Sequence, residues 1–372
     1  MTIALAQEQW VTDKYDSAVS AVPMKEGPES NTEPYLQINP KSSRAALRLV
    51  STKSLSRDEW LDVRKSGIGS SDAAAALGLN PYQSALELWL LKTGQDQDLP
   101  KDDPNDDSSP MYWGSMLEHI VAAHYTKRTG RRVRKVNAVL QHPEHPWMLA
   151  NLDREVVGSD EVQILECKTA GINGAKLWKE GVPEYVQLQV MHQLAVTGKQ
   201  AADVAVLLGG QELQIHRIER DEAMISQLIQ LERLFWDCVE SRTAPAVDGS
   251  DSADRALRAL FPHDSSEAVN FSEDRGMSVL FEDYLDTRDM AEKLKSKESQ
   301  LKQQLQMAMG DAAKAQFETG YITWRKSKDS ISLDTKRLLA EHSELILPYS
   351  VSKPGSRRFV VNAPGRSANA SH

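Results

Sequence analysis

Apolar residues first fall into a regular pattern after residue 55. Ser56-Arg57-Asp58-Glu59 has the spacing of a capping box, and Trp60, Leu61 and Val63 follow it, which predicts a helix opening there. A Gly67-Ile68-Gly69-Ser70-Ser71 turn leads into an alanine-rich helix ending near Gly78. Asn80-Pro81 breaks the chain, and a further helix runs from about Ser84 to Lys92 before Gly94. A helix over 112–128, with apolar positions Trp113, Met116, Leu117, Ile120 and Val121, ends at Gly130. The pattern then shortens to strand-like runs at 132–140, 147–157 and 161–168, the last two joined at Gly158-Ser159. Helices are expected at 173–180 and 183–197, strands at 202–208 and 211–218 around Gly209-Gly210, and a long helix from Asp221 to Ser241.

Helices, three strands, helices, two strands and a helix describe an α/β chain with a mixed sheet flanked by helices. Residues 1–50 lack sustained periodicity and are rich in Pro, Ser, Glu and Asn, which predicts a disordered extension. The folded domain is expected over 51–243 and a linker over 244–272. An accessory region follows over 273–372, helical from Ser272 to Met309 with β-prone runs at 315–326 and 357–361.

Composition narrows the class little: 40% of residues are hydrophobic and 26% charged. No apolar run approaches the ~18 residues of a membrane span and no signal peptide is visible, so a cytoplasmic protein without membrane contact is expected. The two cysteines, Cys167 and Cys238, can build neither a disulfide framework nor a four-cysteine cluster. The net charge of −9 argues against a chain that coats nucleic acid. The charge is uneven, however. Asp96, Asp98, Asp102, Asp103, Asp106 and Asp107 crowd one loop, whereas Lys127, Arg128, Arg131, Arg132, Arg134 and Lys135 form a basic run that suits a local DNA groove.

The candidate chemistry lies in Ile164-Leu165-Glu166-Cys167-Lys168. Side chains alternate across a strand, so Glu166 and Lys168 point to one face and Cys167 to the other. A carboxylate there can bind a divalent cation while the ammonium sits beside an attacking water. Asp153 ends the apolar run from Trp147 to Leu152 and can join Glu166 across paired strands. On spacing alone the alternative is a cross-strand ion pair. Glu118, at the border of its helix's apolar face, and Gln189, on the 183–197 helix, likewise read by themselves as ordinary polar positions.

Several ordered blocks resemble the YqaJ-like viral recombinase family, relatives of lambda exonuclease, over about residues 55–242. They are Trp60-x-x-x-Arg64, Gly67 to Ala74, Leu77 to Tyr82, Leu86 to Trp89, Trp113-Gly114-x-x-Leu117-Glu118, Asn151-Leu152-Asp153, Leu165 to Lys168, and Gln189 to Gly198. The resemblance implies a restriction-endonuclease-like fold and DNA cleavage with Mg2+, for which Mn2+ can substitute. It assigns Asp153 and Glu166 as metal-binding carboxylates, with the Cys167 carbonyl and Glu118 as further ligands. Lys168 would act on the water and the phosphate, and Gln189 would orient Lys168 or the water. Arg64 and Ser71 match the residues that hold the 5′-terminal phosphate in lambda exonuclease. Met191 stands where relatives often carry a second glutamine.

The implied activity is exonucleolytic, 5′-to-3′ on ends of linear double-stranded DNA, in a bacterial cell and phage- or prophage-encoded. It would yield single strands for a partner annealing protein, from a homo-oligomer that is trimeric by family analogy. Another endonuclease on the same fold, or a catalytically silent DNA-binding scaffold, are the alternatives.

Overall fold

The computed structural model describes residues 46–101, 103, 105–352 and 355–363. The disordered extension expected over 1–50 falls outside these residues as far as residue 45. The remainder departs from that expectation: Leu47–Ser51 forms β1, antiparallel to β4 (Ala138–Gln141). Helix α1 (Arg57–Lys65) opens on the expected capping box. Ser56 Oγ accepts from the Glu59 N–H at 3.3 Å, and Glu59 Oε2 accepts from the Ser56 N–H at 2.8 Å. Strand β2 (Ile68–Gly69) follows, and a 3-10 turn over Ser70–Asp72 feeds α2 (Ala73–Ala76), whose four alanines are all buried. Gly67 is required by contact: a Cβ there would meet the Trp147 carbonyl oxygen at 2.5 Å. Helices α3 (Ala85–Thr93) and α4 (Pro110–Thr129) are capped by Ser84 and Ser109 and end at left-handed Gly94 and Gly130.

Two of the expected strands are each divided. The 132–140 run becomes β3 (Arg132–Arg134) and β4, and the 147–157 run becomes β5 (Met148–Ala150) and β6 (Arg154–Val157). The halves serve different sheets, one ordered β1-β4-β5-β2 and the other β3-β6-β7-β8-β9, so the chain crosses between sheets at Asn151–Asp153. Strand β7 (Ile164–Ala170) pairs with β6 at only two positions, Arg154↔Leu165 and Glu155↔Ile164. It pairs in parallel with β8 (Ala201–Leu208) over seven. A 3-10 turn, Gly174–Trp178, stands where a helix was expected, and α5 (Glu184–Thr197) completes the crossover. Ten of the fourteen α5 residues are buried, because it packs on β4, β5 and β8 as well as on α2 and α6 (Glu222–Glu240). Strand β9 (Glu212–Glu219) closes the second sheet.

The expected linker over 244–272 is not irregular throughout. Asp251–Leu260 forms α7, which lies on α3 with Ala253, Ala256 and Ala259 buried. The Ser252 hydroxyl accepts the Ser84 N–H at 2.8 Å and reaches Glu87 Oε2 at 2.7 Å. Small alanines carry little hydropathy, which hides such a helix from a composition-based reading.

The described residues up to 263 form one compact unit, and those from 264 belong to a second. In the second, α8 (Arg275–Met309) is 35 residues long, with Leu285 as its buried residue. Strands β10 (Lys314–Phe317) and β11 (Gly320–Thr323) form a hairpin. The β-prone run at 357–361 forms no strand. Among the described residues, no helix is long and apolar enough to cross a membrane.

Candidate active site

The site forms where β6 and β7 part. Beyond Leu165 the β6–β7 pairing stops, and the Asp153 side chain takes over: its Oδ2 accepts the Cys167 N–H at 2.8 Å. Asp153 is thereby held beside Glu166, which points from β7 into the interior and is only 2% exposed. Both oxygens of Glu166 are occupied. Gln189 Nε2 donates to Oε1 at 2.7 Å, Lys168 Nζ lies 2.9 Å from the same oxygen, and Gln193 Nε2 donates to Oε2 at 2.7 Å. Lys168 also donates to Gln189 Oε1 at 2.8 Å, closing a ring of Glu166, Lys168 and Gln189. Glu166 and Lys168 share a face through strand alternation, and Gln189 and Gln193 share one through helical i,i+4 spacing.

Electrostatics follow from burial. Burial raises the Asp153 carboxyl, and the neighbouring Glu166 charge raises it further, to about 8, against the opposing Cys167 hydrogen bond. For Lys168, burial works to lower the pKa, but Glu166 outweighs it and the ammonium ends above its ordinary value. Burial, then the Asp153 and Glu166 charges, push the Cys167 thiol up, so it is a packed thiol rather than a nucleophile.

Glu118, expected as a further metal ligand, is turned toward Arg154, which binds it from β6 and also donates to the Asp153 carbonyl at 2.6 Å. Among the described residues, no three His, Cys, Asp or Glu side chains converge as a ready metal cage. The donors that do stand together are the buried carboxylate of Glu166, the partly exposed carboxylate of Asp153 and strand main chain, with no imidazole or thiolate. This set fits a hard divalent cation, whose charge would offset that of the adjacent carboxylates and which retains water for its remaining positions.

A second cluster joins Arg64 and Ser71. Arg64 Nη2 donates to Ser71 Oγ at 2.9 Å and pairs with Asp72 Oδ1 at 2.5 Å, and the guanidinium lies 4.9 Å from the Trp60 ring centre. Lys92, almost fully buried, binds Asp72 Oδ2 at 2.6 Å and the Arg64 carbonyl at 2.7 Å. Burial alone would raise the Asp72 carboxyl, but Arg64 and Lys92 together hold it well below the usual carboxylate range. Two cations against one carboxylate leave the cluster with a net positive charge.

Sequence reading singled out neither Asp72, Lys92, Arg154 nor Gln193 for the site. Gln193 had a detectable signal, being four residues from Gln189 on one helix. The basic run is less available than its composition suggests: Arg131 pairs with Glu161 and Arg134 with Glu155. The expected apolar face of α4 is also displaced. Trp113, Met116 and Ile120 are exposed, whereas Val121, Ala122 and Tyr125 are buried where α4 meets β7 and β8.

Comparison with known proteins agrees with the ordered motifs. The sequence profile of the YqaJ-like viral recombinase domain matches residues 59–200. The uncharacterized protein YqaJ of Bacillus subtilis (strain 168) is 37% identical over 302 residues, covering 80% of this chain and 92% of that protein. Among solved structures, the alkaline exonuclease LHK-Exo of Laribacter hongkongensis is 22% identical with a TM-score of 0.41, over 50% of this chain and 93% of that one. A phage-related exonuclease from Haemophilus somnus 129PT is 12% identical with a TM-score of 0.33, over 49% of this chain and 99% of that one. The two structural likenesses are distant. The sequence match, with Asp153, Glu166 and Lys168 in their ordered motifs, is sufficient: the chain belongs to the YqaJ-like viral recombinase family.

Proposed function

We propose that this protein is a divalent-metal-dependent deoxyribonuclease that degrades linear double-stranded DNA from its ends, 5′-to-3′, in the cytoplasm of a bacterial cell. The single strands it leaves would feed recombination by an annealing protein. The observation that carries this reading is the buried Glu166 carboxylate, held at both oxygens by Gln189, Gln193 and Lys168, with Asp153 beside it. A cross-strand ion pair would need neither the second carboxylate nor the two glutamines.

Asp153, Glu166 and the Cys167 carbonyl would hold the cation, with Glu118 joining once released from Arg154. When bound, Mg2+, or Mn2+ in its place, lowers the pKa of water and neutralises charge on phosphate oxygens. Gln189 fixes the Lys168 ammonium, which positions the water and offsets the charge that develops on the phosphate. Gln193 keeps Glu166 facing the site. Arg64 and Ser71 receive the 5′-terminal phosphate. The net positive charge of their cluster with Asp72 and Lys92 favours an anion, and a guanidinium has five donors of which Nη2 supplies those to Ser71 and Asp72.

The test pairs conservative substitutions with substrate topology. Glu166→Gln and Asp153→Asn should keep the wild-type circular dichroism spectrum and abolish magnesium-dependent cleavage. Wild type should degrade linear duplexes, spare covalently closed circles and prefer 5′-phosphorylated over 5′-hydroxyl ends, a preference that Arg64→Ala should reduce. Near-normal cleavage by Glu166→Gln would overturn the site assignment. Cleavage of closed circles would indicate an endonuclease, and wild type without metal-dependent cleavage a DNA-holding scaffold.

A further inference from the structure

We infer that α8 is a self-association element and that it pairs antiparallel with α8 of a second copy of this chain. The helix spans 35 residues, about 52 Å at 1.5 Å per residue. Its sequence carries a 3.5-residue repeat for five heptads. One set of core positions is Met277, Tyr284, Ala291, Glu298 and Leu305, and the alternate set is Leu280, Thr287, Leu294, Leu301 and Ala308. Eight of the ten are apolar, and all ten are exposed, Leu294 at 72%. A seam of this length left open to water is what a partner helix covers.

Two independent features select a second copy in the antiparallel sense. The first is charge. From Arg275 to Glu292 five acids outnumber two arginines, whereas from Lys293 to Met309 four lysines outnumber one acid, Glu298. A parallel pair sets like halves together, and an antiparallel pair sets each acidic half against a basic one. The second is register. If Ala291 of one copy meets Leu294 of the other, every position of the first set meets one of the second: Met277 meets Ala308, Tyr284 meets Leu301 and Leu305 meets Leu280. The two polar interruptions, Thr287 and Glu298, then fall opposite each other and share a layer. No apolar side chain is spent against them, and any shift by a heptad separates them.

A groove of about 500 Å³ already flanks the basic half, between Leu294, Leu301 and Leu305 of α8 and Ile322 and Trp324 of the hairpin, with Lys297 and Lys302 on its walls. The acidic half of the second copy, with Met277, Leu280 and Tyr284, has the complementary charge and apolar content for it.

The experiment uses the full chain. Wild type at micromolar concentration should have a solution mass that is an even multiple of 41.4 kDa. Leu294→Asp with Leu301→Asp should weaken association by about a hundredfold or more, since two seam leucines are lost from each copy. Helix content should not change, because both side chains are exposed. Orientation is read by mixing Tyr284→Cys protein with Leu301→Cys protein under mild oxidation. Disulfides joining 284 to 301 support the antiparallel pair, and disulfides joining 284 to 284 overturn it. Reversing the four lysines to glutamate should also dissociate the pair. Adding a chain whose Glu282, Asp283, Asp289 and Glu292 are changed to lysine should restore mixed dimers. A wild type whose mass is an odd multiple of 41.4 kDa, whether monomer or trimer, or an association that the double aspartate variant leaves intact, overturns the inference. If that variant keeps its mass but loses single-stranded DNA binding, the seam is a nucleic-acid surface instead.

Discussion

Gln193 offers the sharpest test of how the site is held. Its Nε2 donates to Glu166 Oε2 at 2.7 Å, while Gln189 and Lys168 both serve Oε1. Gln193→Leu would therefore strip the donor from one oxygen of a buried carboxylate. A hydrogen bond to a charged group contributes about 1.5–3 kcal/mol, which corresponds to roughly a 10- to 150-fold loss. Global stability should fall by much less. Gln193 Oε1 is itself buried without a partner, so leucine also removes an unsatisfied oxygen costing about 1–3 kcal/mol. Cleavage of a 5′-phosphorylated duplex should consequently drop, with half-maximal activity moved to about 10- to 100-fold more magnesium, the scale seen when a residue supporting a metal ligand is lost. The urea midpoint should move little. Gln193→Glu, which sets a second carboxylate against Glu166, should be worse on both counts. A Gln193→Leu enzyme within twofold of wild type at subsaturating magnesium would refute the reasoning, because Oε2 would then need no donor.

Other outcomes follow from the buried charges. Lys92→Met leaves Asp72 with Arg64 alone and should cost about 3 kcal/mol in urea unfolding; a loss below about 1 kcal/mol would mean Arg64 suffices. Burial lowers the His192 pKa, but Glu232, 2.7 Å from Nδ1, outweighs this and raises it above the ordinary 6.5. A raised pKa gives stability that is complete below 6.5 and lost as pH climbs through the raised value. Unfolding free energy should therefore decline on the alkaline side in wild type, and Glu232→Gln should flatten that decline; an unchanged slope would place its source elsewhere. Ala256→Asp, at a fully buried position of α7, should lower thermal stability by at least about 2 kcal/mol; no change would mean that α7 is not part of the folded unit.

The sequence was most legible where local chemistry fixes structure. Ser56 to Glu59 announce a capping box whatever follows, and Glu166 and Lys168 share a face by strand alternation alone. Glycines 94 and 130 end their helices because the left-handed conformation is open to them. The reading failed where a long-range choice decides. The apolar run of 147–157 is interrupted only by the weak strand formers Asn151 and Asp153, and the competition between two sheets turns that interruption into a crossing. Trp113 and Ile120 have the spacing of a core face, yet the contact with β7 and β8 uses Val121, Ala122 and Tyr125. Alanine-lined α7 has too little hydropathy to stand out from a linker. At the site, Glu118 looks like a ligand from its motif, and its pairing with Arg154 depends on α4 packing across β7, the strand next to β6.

The parting of β6 and β7 also bears on how such a chain can change over generations. Asp153 does two jobs there, offering a carboxyl that would ionise against the proposed cation and accepting the Cys167 N–H in place of a neighbouring strand. Asparagine retains a carbonyl oxygen for the second job and abandons the first, and its codons differ from those of aspartate by one base. A descendant with that change would lose its chemistry at a single step while its strands remained in place. If the proposed function holds, duplicated copies of this gene thus have a short path to a folded protein that keeps its DNA-binding surface and no longer cuts.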